Sequence, residues 1–511
     1  MDGGGQAVTT TPEQAGAGGA ARTDDEVLAE LAALQSHDLP TRGGRTLAYV
    51  YDADIPGLDE LAAAAHATAM HANALDPTAF PSLAAMEGDL VASAAALLGG
   101  GPATVGTVTS GGTESCLLAV AAARDAAREA GKHLTTPRMV LASSAHAAFH
   151  KAAHYLGVAA DVVDVDPTTL RADPAAMAAA IGPDTVLVVA SAPSYAHGVL
   201  DPVPEIAAAA AARGVRCHVD ACIGGWILGC WQRFPGIADR DVPPFDLSVP
   251  GVTSLSVDLH KYAYTPKGAS VLLHANAELR AAQFFVSTAW PGYAMLNTTL
   301  QSTRSGGPIA AAWAVLNRLG ASGYRSIAER TARAVQGIRQ AVTGIDGLRL
   351  VAEPDATLLA VTAMPGGPSV FTIADEMAER GYYVQPQFSF ANAGAVIPAS
   401  LHLTVTAANA GHEVELVAAL RESVRAARGM PEPRFPPEVI EGVLAADLGS
   451  PGGLAAAASA LGLIGADGTL ALPRRMAAIN ALLDVLPGPT REQVLRGVLS
   501  MLTRPGRDLL P

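Results

Sequence analysis

Two lysines six residues apart, Lys261 and Lys267, stand in the stretch Ser256–Gly268, SVDLHKYAYTPKG. Charged residues make up only 16% of the chain, so two ammonium groups beside an apolar, strand-like run invite a chemical reading. Lys261 follows that run directly, between His260 and Tyr262. A lysine placed there is partly desolvated, which suits an amine that attacks a carbonyl and forms a Schiff base. Lys267 follows Thr-Pro and precedes Gly268, a turn-like setting in which it stays a cation facing an anion. The plain alternative for either lysine is a solvated surface charge.

Two earlier segments carry complementary chemistry. In TVTSGGTES, Thr107–Ser115, a β-rich run ends at Gly111-Gly112-Thr113 and a helical stretch begins at once. The glycines let backbone N–H groups converge at a helix N-terminus, which makes a phosphate cradle, and Thr113 adds a hydroxyl. An ordinary strand-to-helix turn has the same look. In HVDACIGGW, Asp220 ends an apolar run, where an unpartnered carboxylate is costly. It suits a protonated heteroaromatic nitrogen, although an N-cap or loop aspartate is the plainer reading. A phosphate loop, an aspartate and a lysine in this order are the needs of pyridoxal phosphate (PLP), whose ring becomes an electron sink when its nitrogen is held protonated.

The elements that must position these residues are legible in the alternation of β-branched runs with Ala-rich helical stretches from Thr104 to His274. That pattern predicts βαβ units, a mainly parallel sheet with helices on both faces, and ligands at the carboxyl ends of strands. Residues 23–104 read as a helical segment broken by prolines, 105–325 as the large domain, and 326–428 as a smaller α+β domain. Residues 429–437 form a Pro-rich linker, and 438–511 a helical extension with no evident chemistry. The Gly/Ala/Thr-rich stretch 1–22 reads as a disordered tail rather than a signal peptide.

Composition excludes several functions. A net charge of −14 with no basic cluster argues against nucleic acid. The four cysteines form no CxxC pair, so neither a metal site nor a disulfide framework is expected, and a reducing, cytoplasmic location fits. No apolar run is long enough to span a bilayer.

The blocks SGGTES, SAHAAFHKAAHYLG (Ser144–Gly157), HVDACIGG, SVDLHKYAYTPKGAS and TRSGG (Thr303–Gly307) resemble the sphingosine-1-phosphate lyase family from about Tyr49 to Arg428. That family belongs to the fold-type I PLP enzymes, near the group II amino-acid decarboxylases. The resemblance implies a Schiff base on Lys261, with His260 beside the cofactor phosphate and Asp220 on the ring nitrogen. It places His146 as the ring-stacking residue, and Gly111, Gly112 and Thr113 as the phosphate loop. Thr303 matches a serine that reaches the phosphate from a second subunit, so a homodimer with shared sites is implied. Tyr51 matches a family active-site tyrosine.

The departures bear on the substrate. The family motif Asn-x-Leu-His-Pro-Asp reads here Asn73-Ala74-Leu75-Asp76-Pro77-Thr78, so Asp76 replaces a histidine that binds substrate phosphate. A carboxylate there is a like-charge contact in a poorly solvated pocket. Either Asp76 pairs with Lys267 and shapes a pocket for an uncharged or cationic end, which we prefer at this point, or it turns away and phosphate still binds. Met295 stands where the family has a tyrosine, with Tyr293 close enough to substitute. The expected activity is cleavage of a Cα–Cβ bond in a lipid-like β-hydroxy amine to an aldehyde and an amine. In the lyase reading, Tyr51 and the Lys261 amine are the acid/base candidates. Group II decarboxylation is the alternative, and a PLP-binding scaffold without catalysis the third.

Overall fold

The computed structural model describes residues 21–448, 450–463 and 473–503. Except for residues 21 and 22, the expected N-terminal tail lies outside the described residues, as do parts of the C-terminal extension. Seven short runs form the large sheet: β1 (Val105–Thr109), β2 (Arg138–Ala142), β3 (Ala159–Val163), β4 (Thr185–Ser191), β5 (Arg216–Asp220), β6 (Ser254–Val257) and β7 (Ser270–His274). Their lateral order is β1-β7-β6-β5-β4-β2-β3. Pairs from β3 to β6 are parallel, whereas β7 runs antiparallel to both β6 and β1. Every residue of β4, β6 and β7 is buried, as expected of strands covered on both faces. The edge strand β3, AADVV, is only partly buried and was not foreseen.

The β6–β7 connection carries both lysines. Because the two strands are antiparallel neighbours, residues 258–269 only turn back on themselves. Tyr264 (φ 59°) and Gly268 (φ 104°) supply the left-handed bends. The turn is pinned from two sides: buried Tyr262 donates its hydroxyl to the Val405 carbonyl at 2.8 Å, and Tyr324 donates to the Ala263 carbonyl at 2.9 Å.

The smaller unit is a four-stranded antiparallel sheet of Leu348–Leu350, Leu358–Ala363, Ser400–Thr404 and Gln385–Gln387, in that order. Helices Val370–Glu379 and Glu413–Arg428 contribute to its own apolar core. The helix Gly306–Thr343 runs through residue 325 without a break, and its non-helical point is Gly320, φ 53°. Two hairpins, Phe285–Ser287 with Met295–Asn297 and Phe390–Asn392 with Ala395–Ile397, were not foreseen. Beyond the linker, helices Pro437–Ala445, Pro451–Ala460, Ala477–Val485 and Gly488–Leu502 form a further apolar cluster. Among the described residues, no helix is long and apolar enough to cross a membrane.

The long helix is seated closely at its start. A Cβ on Gly306 would lie 2.7 Å from both the Ala69 carbonyl oxygen and Leu83 Cδ2. Backbone cannot yield there as a side-chain tip can. Gly306→Ala is therefore expected to lower the urea midpoint of unfolding, equivalent to about 1–3 kcal/mol. An unchanged midpoint would show that the contact relaxes freely.

Candidate active site

The strand ends at β4, β5 and β6 open onto a cavity of about 480 Å³. Its wall includes Gly111, Gly112, Thr113, His146, Asp220, His260, Lys261 and Lys267. Eight residues read from four separated segments thus share one chamber. The reason is topological, since each lies just after a strand or at the start of the following helix.

The helix Gly112–Glu129 begins against this chamber, with Gly111 as its N-cap residue. A Cβ on Gly112 would lie 2.8 Å from both Asp258 Oδ1 and Cys222 Sγ, so only glycine fits without displacement. His260 lies beside the loop, its Cε1 3.6 Å from where a Gly111 Cβ would sit. Its Nδ1 is buried without a hydrogen-bond partner. Burial lowers the His260 pKa, more than Asp258 raises it, and its Nε2 stands 3.6 Å from Asp258 Oδ2. Helix N–H groups supply the donors a phosphate monoester needs, with the unpartnered His260 Nδ1 beside them.

Asp220 is the last residue of β5 and is buried, its Oδ1 accepting from the Cys222 N–H at 3.1 Å. His146 has two roles. Its Nδ1 accepts from the Ala148 N–H at 3.2 Å and caps the helix Ala147–Leu156, while the same ring lines the cavity. It meets Tyr195 edge to face at 6.2 Å. Tyr195 is itself stacked on His402 at 4.3 Å and donates to Gln385 Oε1 at 2.6 Å. This aromatic wall, the buried carboxylate and the anion cradle fit PLP.

The two lysines are in different surroundings. Lys261 Nζ lies 2.8 Å from Asp258 Oδ2. Burial opposes its charge, but Asp258, foremost among its neighbours, holds the ammonium above the usual lysine range. Asp258 is itself 2% exposed and accepts a 2.7 Å bond from the Ser270 hydroxyl. Sequence reasoning overlooked this residue. Its signal was an aspartate at the end of an apolar strand, three residues before the lysine. Lys267 has a stem that reaches solvent, but its head donates to the Tyr49 carbonyl at 2.8 Å and sits 4.8 Å from the Tyr51 ring centroid. That shielding, followed by repulsion from Lys261, lowers its pKa to about 8.

The expected Asp76–Lys267 pair does not form within the chain. The Asp76 carboxylate accepts from the Thr78 N–H (2.8 Å), the Thr78 hydroxyl (2.6 Å) and the Ala79 N–H (3.3 Å). Its local Asp-Pro-Thr turn satisfies it more cheaply than a distant lysine. Asp76 and Tyr293 line a second cavity of about 700 Å³ with Phe284, Leu296 and Arg304. Nearby, Asn73 Oδ1 accepts from the Arg304 N–H at 3.1 Å, and Thr303 is exposed. One chain therefore does not bring Asn73, Asp76, Tyr293 or Thr303 to the lysine chamber. Tyr51 packs edge to face on Tyr262 at 5.2 Å. Burial raises its phenol well above the usual range, so it stays protonated and is a weaker acid than a free tyrosine.

Asp258 sets the charge of Lys261, so Asp258→Asn is expected to lower the pH at which the Lys261 amine becomes reactive, by about 1–3 pH units. The check is borohydride trapping of PLP on the cofactor-stripped protein across pH, followed by peptide mass. An unmoved midpoint would separate the two residues.

The family model described as "Pyridoxal-dependent decarboxylase conserved domain" matches residues 51–363. A second, "Pyridoxal-dependent enzyme, C-terminal putative HTH domain", matches 424–501 and takes in the expected linker. The chain is 37% identical to sphingosine-1-phosphate lyase of Dictyostelium discoideum over 353 residues, 69% of this chain and 63% of that protein's length. To sphingosine-1-phosphate lyase 1 of Rattus norvegicus it is 35% identical over 402 residues, 78% of this chain and 68% of the relative. A solved Burkholderia pseudomallei sphingosine-1-phosphate lyase superposes with a TM-score of 0.74 at 33% identity, covering 80% of this chain and 92% of that one. From the lysine chamber, the matched domain and these relatives together, the chain belongs to the sphingosine-1-phosphate lyase family of PLP-dependent enzymes.

Proposed function

We propose that this chain is a PLP-dependent carbon–carbon lyase that cleaves a β-hydroxy amine of the sphingosine-1-phosphate type to an aldehyde and an amine. The observation that carries the reading is the convergence of Lys261, Asp220, His146 and Gly111–Thr113 on one cavity. Bound PLP supplies a covalent anchor for the substrate amine and a ring that accepts the electron pair released at Cα. Asp220 holds the ring nitrogen protonated, and His146 provides the aromatic wall. The helix N-terminus after Gly111 and the His260 Nδ1 hold the phosphate. Asp258, 2.8 Å from Lys261 Nζ, would keep the free side chain charged and so a proton source in the chamber. Tyr51 is the second acid/base candidate, a phenol that burial keeps protonated.

Lys267 is assigned to the anionic end of the substrate. Asp76 supports this by its position, because its carboxylate is engaged in its own turn and leaves Lys267 unneutralised. The segment with Asn73, Tyr293 and Thr303 is assigned to the partner's chamber in a homodimer. The exposed Phe285, Val286, Leu296 and Leu300 support such an interface. Four free, buried cysteines suit a reducing, cytoplasmic setting.

Mass spectrometry of the PLP-loaded protein with sphingosine 1-phosphate tests the reaction. A long-chain aldehyde with phosphoethanolamine is expected, both lost in Lys261→Ala. No aldehyde from a fully loaded protein would overturn the reading, and carbon dioxide from an amino acid would favour decarboxylation. The Lys267 charge gives a second test. Its ammonium is lost as pH rises through about 8, so inhibition by phosphoethanolamine is expected to weaken across that range. In Lys267→Met that dependence should vanish; its persistence would remove Lys267 from the anion site.

A further inference from the structure

Within the lysine chamber lies a donor cluster of two thiols and a carboxylate, of which the proposed lyase reaction uses only the carboxylate, Asp220. One sulfur of Cys116, one of Cys222 and a carboxylate oxygen of Asp220 all lie within 4.8 Å of one another. The three residues are buried, and all three line the 480 Å³ cavity. Cys116 comes from the helix Gly112–Glu129, whereas Asp220 and Cys222 come from the end of β5, so the sheet order and not sequence proximity assembles the group. The Cys222 N–H already orients the Asp220 carboxylate. The Cys222 thiol is in hydrogen-bond contact with Ser256 Oγ at 3.1 Å. The absence of a side chain at Gly112 keeps the space over Cys222 Sγ open.

Two sulfurs and one carboxylate suit a tetrahedral, thiophilic divalent cation with a water from the cavity as fourth ligand. Magnesium and calcium require more oxygen ligands than the group offers. The opposing charge is Lys261, which Asp258 already holds in an ion pair at 2.8 Å. We propose that the cofactor-free chain binds one zinc-class cation on Cys116, Cys222 and Asp220, and that this cation and PLP exclude each other. The exclusion rests on the assignment of Asp220 to the ring nitrogen. Binding involves no redox step: two sulfur–metal bonds form, the two thiol protons leave to solvent, and the carboxylate coordinates as it stands.

The test uses Cd²⁺ as probe on the full chain, stripped of cofactor, with the sulfur-to-cadmium ultraviolet band as readout and Zn²⁺ as competitor. One equivalent is expected to saturate the band, and Zn²⁺ to abolish it. Cys116→Ser and Cys222→Ser are each expected to weaken binding at least about tenfold, while Cys230→Ser leaves it intact. Circular dichroism of each variant separates lost ligation from lost folding, and Cys116→Ala provides a second substitution at the same ligand. No band in the stripped wild-type protein, or a full band in a folded Cys116→Ser/Cys222→Ser double variant, overturns the site. The loaded protein is expected to give no band. A full band with PLP still bound would leave the metal site standing and overturn both the exclusion and the Asp220 assignment on which it rests.

Discussion

The site depends on a buried line of polar contacts through Asp258. Thr109 at the end of β1 meets Ser115 Oγ at 2.7 Å, Ser115 meets Ser270 Oγ at 3.2 Å, and Ser270 reaches Asp258 Oδ1 at 2.7 Å. Asp258 then holds Lys261 at 2.8 Å. These contacts join the end of β1, the first turn of its helix, the start of β7 and the turn that carries the lysines. A carboxylate 2% exposed is tolerated only while its partners stay in place. The same contacts that satisfy it therefore fix the phosphate cradle relative to the reactive amine. Hydrogen-bonded lines in a low-dielectric interior gain from their neighbours and lose heavily when one member leaves.

Much of this was legible in the sequence because function and periodicity coincided. The strands before Ser110, Asp220 and Asp258 were apolar runs ending in polar residues, so the pattern that marked the strand also marked the site. His146 was readable as either a cap or a wall, and the structure uses it as both. What escaped was whatever depends on tertiary neighbours. Asp258 looked like one more strand-end residue, and its value comes from Ser270, twelve positions away across the antiparallel pair. Asp76 was expected to seek a distant cation, but the adjacent Thr78 satisfied it first. Strand β3 is an edge strand only partly buried along its length, and the two hairpins are short and largely exposed.

The C-terminal helices are tied to the smaller unit by specific groups. Asp375 accepts from the Met476 and Ala477 N–H groups at 2.9 and 3.0 Å, and Asp484 accepts from the Ser389 N–H and hydroxyl. Ser389 directly precedes the hairpin Phe390–Asn392. Asn392 in turn bonds Ser143 and both backbone groups at Val165. Ser143 stands three residues before His146, so the extension and the aromatic wall are physically continuous.

The sheet order has a consequence for how the molecule is made. β1 lies at one edge with β7 as its neighbour, and β7 emerges from the ribosome long after it. During synthesis β1 therefore waits as an unpaired, aggregation-exposed edge. The glycine cradle and the reactive lysine are drawn together by the same late pairing.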